Sequence, residues 1–312
     1  MQYPSISIAI LTYKRQDMLV QAIETALQQD YPDFEVLVID NHSEDGTPAL
    51  LADKFSDVRC IALNQNMGAA ARNAGFEHAR GEIIVTLDND VFFHSTNELQ
   101  QVAAYFQQNE DVGCITFKIL QPDGKTLSSR DWFHPCKADD FADKRFNTYY
   151  IAEGASAFLK QAIAKTDGYD EDFFLGHEGL DVALKLFQAG FKIEYCPAVT
   201  VCHHAALATR TSWRPYYYNT RNYFLLWFKF FRMGLGLQFL LPRIAMHGIF
   251  ALRTGTFLYY LRGLYAGLRD GRKKLHERTA MTRQNEQFFR QMLAQHPGFL
   301  QWLKRHKDKP QV

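Results

Sequence analysis

The sequence predicts an α/β fold: a mostly parallel sheet flanked by helices, followed by a C-terminal helical region. Three observations carry that prediction. Between residues 5 and 120, short apolar segments alternate with amphipathic ones, the pattern of βαβ units and parallel pairing. Right-handed crossovers turn such units into a doubly wound layer. Polar clusters follow the apolar segments one after another, as ligand-binding loops do at the carboxyl edge of such a sheet. Finally, the net charge of +1 conceals a division. Residues 1–202 hold 16 Lys and Arg against 30 Asp and Glu, residues 203–312 hold 19 against 4, and no acid lies between Glu194 and Asp270.

The elements follow in order. "SISIAIL" (5–11), "FEVLVID" (34–40), "VRCIAL" (58–63), "EIIVTLD" (82–88) and "VGCITFKIL" (112–120) are continuous apolar runs and read as buried strands. Residues 17–29, 47–55, 68–79 and 96–108 between them have helical spacing. Residues 121–150 are irregular, with a turn at "QPDGK". A short helix is expected near 160–165, another over 182–190, a strand over 191–196, and "PAVTVCHH" (197–204) closes the first domain. This places a catalytic domain at 1–212 and a basic, aromatic-rich helical region at 213–312.

In that region, 216–231, 235–252 and 256–268 are apolar and aromatic at helical spacing, interrupted by Lys or Arg about every ten residues. None is an uncharged run of the ~20 apolar residues a membrane span needs. They read as interfacial helices, with Lys229, Arg232, Arg243, Arg253 and Arg262 near headgroups. The N-terminus lacks a basic start, a long apolar run and a cleavage site, so no signal peptide is expected. Five scattered cysteines without a CxxC suggest reduced thiols.

The candidate chemistry centres on "TLDND" (86–90), where a buried strand ends on Asp88 and Asp90 with Asn89 between them. Two carboxylates so placed can hold Mg²⁺ or Mn²⁺ together with substrate phosphates. There is no GxxxxGK[ST], so a diphosphate would be held without a Walker lysine. The clusters "TYKR" (12–15), "DNHSEDGT" (40–47) and "NQNMG" (64–68) are expected on the same edge.

These motifs, in this order, resemble the inverting nucleotide-sugar glycosyltransferases of family 2, which have the GT-A fold. The resemblance covers residues 5–204: the opening strand, helix and nucleoside loop, then "NQNMGAAARNAGFEHARGEIIVTLDND", "GYDEDFF" and "GHEGLDVALKLFQAGFKIEYCPAVTVCHH". It implies that Asp40 accepts from a pyrimidine ring N–H. Thr12, Tyr13 and Arg15 would frame base and phosphates. Asn66, Gly68 and Arg72 would sit by ribose and diphosphate. Asp88 would bind ribose or metal and Asp90 metal, with His203 completing the metal shell or touching the diphosphate.

Inversion requires a base for the acceptor hydroxyl. The family's usual base position is Gly179 here, in "HEGLD". Glu178 is favoured in its place, with Asp181 as base or structural cap and His177 as a third possibility. If 178 and 181 share a first helical turn, they project to the same side. Gly154 resembles an acceptor-side loop, and Arg214 and Arg221 are candidate phosphate contacts. Asp45 reads as a helix cap, His94 and His134 as surface residues, and Trp132 as a sugar platform or a core residue.

The resemblance and the charge division together imply an inverting, metal-assisted transferase. It would use a UDP- or dTDP-sugar and act on a lipid-linked or oligosaccharide acceptor in bacterial cell-surface polysaccharide biosynthesis. The enzyme would be cytoplasmic, peripheral at an anionic cytosolic face of the inner membrane, with no nucleic-acid partner. Two rivals remain at this point: a catalytically silent nucleotide-binding protein, suggested by Gly179, and a nucleotidyltransferase.

Overall fold

The structure is a computed structural model and describes residues 3–205 and 212–295. Its first half follows the sequence pattern closely. β1 (Ile6–Thr12), α1 (Gln16–Leu27), β2 (Phe34–Asp40), α2 (Thr47–Lys54), β3 (Arg59–Ala62), α3 (Arg72–His78) and β4 (Ile83–Asp88) alternate, with a 3-10 turn at Gly68–Ala71 leading into α3. The strands pair in parallel in the order β3-β2-β1-β4. Helix α1 buries Leu19, Ala22, Ile23 and Ala26, one face at helical spacing set against the sheet.

Beyond β4 the sheet becomes mixed. The elements are β5 (Val91–Phe93), α4 (Glu98–Gln108), β6 (Val112–Leu120), α5 (Ala138–Phe141), β7 (Phe146–Asn147), β8 (Ala155–Leu159), α6 (Lys160–Ile163), α7 (Glu178–Gln188) and β9 (Lys192–His203). The complete order is β3-β2-β1-β4-β8-β6-β9-β5, with β7 on β9. Strand β8 runs antiparallel between β4 and β6. It was not expected, because five residues beside a glycine give little periodicity. Helix α7 starts at Glu178 rather than 182.

Strand β9 runs through to His203, past the expected end at 196. Its register against β6 jumps from Phe117↔Cys196 to Lys118↔Thr200. Pro197 sits in this bulge, where no ladder N–H is demanded. The bulge lets one strand continue far enough to carry His203 to the sheet's carboxyl edge.

The C-terminal helices are α8 (Arg214–Phe230), α9 (Met233–Arg253), α10 (Phe257–Lys273) and α11 (Arg283–Gln295). Helix α10 presents Gly263, Gly267 and Gly271 to α8. A Cβ at Gly267 would lie 2.6 Å from the Phe224 ring and one at Gly271 2.5 Å from Phe228, so glycine at every fourth position permits this close crossing. One hydrophobic core runs from Leu37, Ile39 and Phe158 of the sheet, through Val182 and Leu186, to Tyr223, Phe231, Phe239 and Phe289. The helical region therefore shares a core with the sheet's face. The 212/213 boundary borders residues 206–211, which lie outside the described residues.

The expected row of headgroup cations needs correction. Lys229 is buried, with its ammonium 2.6 Å from Asp170 and 2.7 Å from Asp181. Arg243 donates to the Phe239 carbonyl and lies 4.0 Å over that ring. Arg253 and Arg262 are exposed. Helix α9 is, by length and composition, apolar enough to cross a membrane, although 39% of its most apolar window is buried within the protein. His134 is also buried, not a surface residue. Its Nδ1 is 3.1 Å from Thr148 Oγ1, and its ring meets Trp132 and Tyr195 edge-on, which makes Trp132 part of a packed aromatic cluster.

Candidate active site

The register of β2, β1 and β4 sets Thr12 beside Asp40 and Leu11 beside Asp88. The strand-end residues singled out in the sequence thus stand in a row. Asn89 explains the middle of "DND". Its side-chain amide donates to Thr12 Oγ1 at 2.9 Å and to the Lys14 carbonyl at 3.0 Å. The two acids are therefore locked to the turn after β1. In that turn Lys14 and Arg15 have φ of 64° and 63°, a conformation that costs side-chain-bearing residues about 1–2 kcal/mol each. Lys14 N–H donates to Ser43 Oγ at 2.8 Å. The strained turn delivers Arg15 to Asp90, Nη1 to Oδ2 at 2.6 Å.

Asp88 has its own cation. Arg72, buried at the start of α3, pairs with Asp88 Oδ1, and its Nε donates to the Glu153 carbonyl at 3.2 Å. Gly154 lies against the same acid: a Cβ there would sit 2.4 Å from Asp88 Oδ2. His203 donates from Nδ1 to Asp131 Oδ2 at 2.9 Å, and its Nε2 lies 3.6 Å from Asp90 Oδ1. Burial opposes protonation of His203, but Asp131, Asp90 and Asp88 outweigh it and hold its pKa above the ordinary value. Burial, then Asp88, raises the Asp90 carboxyl against His203 and Arg15.

Among the described residues, no three acid, His or Cys side chains already form a metal-binding group. The donor set nonetheless fits a hard divalent cation shared with a ligand. Asp88 Oδ2, Asp90 Oδ1 and His203 Nε2 make no hydrogen bonds to described residues, and such cations complete their shells with phosphate oxygens and water.

The nucleoside-side residues form a second group. Asp40 Oδ1 accepts from Ser43 N–H at 3.0 Å. Asn66 Oδ1 accepts from Gly68 N–H at 2.9 Å, and the Asn41 amide donates to the Gly68 carbonyl at 3.1 Å. Gly68 has φ +59°, and a Cβ there would strike the Phe174 carbonyl at 2.2 Å; no side chain fits. Tyr13 is exposed. Asp45 is not the cap of α2, which is Gly46; it precedes it and accepts from Thr47 N–H at 3.1 Å, closing the turn into the helix.

The loop before α7 is held from the C-terminal side. The Asn222 amide donates to the carbonyls of Phe173, Leu175 and Gly176. Glu178 then opens α7, buried, with Oε2 unpartnered. Burial and then Glu153 push its pKa up to about 8. Asp181, in the same first turn, does not join it. Its carboxylate is fully buried between Lys185 at 2.8 Å and Lys229 at 2.7 Å. His177 is half-buried, and loss of water around its ring drives its pKa down to about 3. Arg221 is taken up by Asp270 at 3.0 Å and the Asp172 carbonyl at 2.6 Å, so it is not a free phosphate contact. Arg214 lies exposed at the start of α8.

The family model of glycosyl transferase family 2 matches residues 7–167. The chain belongs to this family. The glycosyltransferase is 24% identical to glycosyltransferase AglE of Haloferax volcanii over 267 residues, 83% of this chain and 82% of AglE. Succinoglycan biosynthesis protein ExoO of Rhizobium meliloti is 46% identical over 40% of this chain and 36% of its own length. The Escherichia coli UDP-Glc:alpha-D-GlcNAc-diphosphoundecaprenol beta-1,3-glucosyltransferase WfaP is 32% identical over 34% of this chain and 43% of its own length. The chain thus spans less than half of these last two relatives. Among solved structures, Staphylococcus aureus TarS 1–349 has a TM-score of 0.59 at 15% identity, covering 97% of this chain and 91% of that one. Mannosyltransferase PcManGT of Pyrobaculum calidifontis, in complex with GDP-Man and Mn²⁺, has a TM-score of 0.56 at 17% identity, covering 98% and 85%. The fold of this glycosyltransferase is GT-A, as the sequence motifs imply.

Two residues of the glycosyltransferase's site were missed in the sequence. Asp131 lies in the irregular 121–150 segment, where nothing marks one acid above another. Glu153 had a signal, being an acid in the otherwise apolar and small run "AEGASAF".

Proposed function

We propose that this glycosyltransferase moves one sugar, with inversion, from a UDP- or dTDP-sugar to a hydroxyl of a lipid-linked glycan in cell-surface polysaccharide biosynthesis. The observation that carries the reading is the convergence of Asp88, Asp90, His203, Arg15 and Arg72 on one strand edge. ExoO and WfaP, by their names, support the polysaccharide setting, and WfaP supports a lipid-diphosphate-linked acceptor. The rival of a silent binding protein loses its motivation, since Glu178 and Glu153 supply carboxylates beside Gly179. Membership of a glycosyltransferase family speaks against a nucleotidyltransferase.

A divalent cation on Asp88, Asp90 and His203 would neutralise diphosphate charge as the leaving group departs. The chain's own groups do the rest. Arg15 and Arg72 flank the carboxylates and add positive charge at the phosphates. The Asp40–Ser43 and Asn41–Asn66–Gly68 networks shape the nucleoside pocket, with backbone open at Gly68. A buried carboxylate beside Gly179 receives the acceptor proton. The cytosolic face of the inner membrane is the matching location, because the described C-terminal helices expose leucine, tyrosine and arginine side chains together.

The test is a thermal-shift panel of UDP, dTDP and GDP with Mn²⁺, Mg²⁺ or EDTA, on wild type and Asp90→Asn. A ligand at ~100 times its Kd stabilises the fold by about 2.7 kcal/mol. UDP or dTDP should stabilise the wild type with metal and not the variant. A melt indifferent to every nucleotide would reject the reading.

A further inference from the structure

We infer that Glu153, on the connection into β8, occupies the base position that Gly179 leaves vacant and takes the acceptor hydroxyl's proton. The inference rests on the transfer reaction proposed above. A Cβ built on Gly179 lies 2.4 Å from Glu153 Oε1 and 3.0 Å from its Cδ. The Glu153 carboxyl therefore fills the volume that a side chain at 179 would enter. The two positions are also bonded, Gly179 N–H donating to Glu153 Oε1 at 2.8 Å. An acid contributed by α7 in the family's pattern is contributed here from the neighbouring chain segment.

The Glu153 backbone is fixed by its neighbours, and its carboxyl is held at Oε1 by Gly179 N–H. The Glu153 main-chain carbonyl accepts from Thr86 Oγ1 at 2.7 Å and from Arg72 Nε at 3.2 Å. The next residue, Gly154, abuts Asp88, and Gly154 O accepts from Asp88 N–H at 3.2 Å. Glu153 is thus tied to the same scaffold as the acid and guanidinium of the donor site. Its Oε2 makes no hydrogen bond to a described residue, and the residue is more exposed than Glu178. Glu178 is a second carboxyl near it: burial, and then the charge of Glu153, raise its pKa.

The step balances simply. The acceptor O–H bond breaks and its proton goes to Glu153 Oε2. The acceptor oxygen forms the new bond to the anomeric carbon. The bond from that carbon to the diphosphate oxygen breaks, and its electron pair leaves with the nucleoside diphosphate. Glu153 later returns the proton to solvent.

The experiment follows nucleoside diphosphate release from UDP-glucose, UDP-N-acetylglucosamine and dTDP-glucose with Mn²⁺ and water as acceptor. It compares wild type, Glu153→Gln and Glu153→Ala, with nucleoside diphosphate Kd measured in parallel. Loss of a positioned base costs ~10²–10⁴ in rate. The expected result is a kcat loss of at least about 100-fold in both variants with Kd within about threefold, and partial recovery of the alanine variant by added formate. A purely structural role would move Kd and would not respond to formate. Glu153→Gln turning over at close to the wild-type rate would overturn the assignment. Failure of the wild type to bind any nucleoside diphosphate would instead bring down the transferase reading on which it rests.

Discussion

His203 is clamped by Asp131: its Nδ1 donates to Asp131 Oδ2 at 2.9 Å, which leaves Nε2 as the nitrogen facing Asp90 Oδ1 at 3.6 Å. Carboxylate partners of this kind fix the tautomer and orientation of a metal-ligating imidazole. Asp131→Ala should therefore weaken Mn²⁺ affinity by roughly 10–100-fold, while nucleotide binding measured in EDTA stays unchanged. Isothermal titration with Mn²⁺ in the presence of UDP reads this directly. Unaltered Mn²⁺ affinity would remove His203 from the metal shell.

Gly154 gives a sharper steric test. Its backbone φ is not in the left-handed region, so alanine is conformationally tolerated. Yet the added methyl would lie 2.3 Å from Asp88 Cγ and 2.4 Å from Oδ2. Gly154→Ala should turn the Asp88 carboxylate away and lower metal-dependent UDP affinity at least ~10-fold, and, by taking Asp88 from the buried Arg72 guanidinium, should also lower the Tm of the ligand-free protein. A 1 Å misplacement of such a group can cost ~10² in activity.

How far could these relationships be read beforehand? The row Thr12, Asp40, Asp88 could, because parallel strands bring their carboxyl ends to one edge whatever their exact register. The role of Asn89 could not, since its partners lie 75 and 77 residues away. Lys229 shows the opposite failure. In sequence it is one of several cations spaced along apolar helices, and nothing local distinguishes it from Arg253. In the fold it meets Asp170 and Asp181 in the interior. Strand β8 escaped because its five residues owe their conformation to β4 and β6 on either side.

The Asp181–Lys229 pair yields a stability prediction that separates it from catalysis. Removing one partner of a buried ion pair leaves an uncompensated charge. Asp181→Asn leaves Lys229 with Asp170 at 2.6 Å but removes the carboxylate between Lys185 and Lys229. Destabilisation of about 3 kcal/mol is expected, a Tm loss of about 5 °C for a chain of this size. Nucleotide affinity below the transition should persist. A variant with wild-type Tm and no turnover would restore Asp181 as a candidate base.

Glu178 makes stability pH-dependent, and the sign can be worked out. Its folded pKa is raised from 4.5 to about 8, first by burial and then by Glu153. Between those values the folded protein holds a proton that the unfolded chain has released, so stability falls as pH rises. This contribution is complete below about pH 4.5 and gone above about pH 8. Glu178→Gln cannot ionise, so its Tm should gain on the wild type as pH is raised from 5 to 8. Parallel melting curves of the two proteins would show no such divergence if Glu178 titrates normally.

The surface of α10 carries the prediction about location. Leu258, Leu261, Tyr265 and Leu268 recur at spacings of three and four and are exposed, Leu258 and Tyr265 by about 70%. Arg262 and Arg269 flank them, and the chain offers no acid from Glu194 to Asp270 to repel an anionic surface. An apolar stripe edged by arginine is the composition of a helix lying at a bilayer surface, where each cation adds about 1 kcal/mol. Leu258→Glu with Tyr265→Glu should lower partition onto phosphatidylglycerol-containing vesicles at least ~10-fold, leaving the UDP thermal shift intact. Because part of the attraction is electrostatic, raising salt should weaken wild-type binding as well. Wild-type protein that stays in the supernatant with such vesicles at low salt would refute the membrane-facing role of α10 and leave the stripe available to a protein partner.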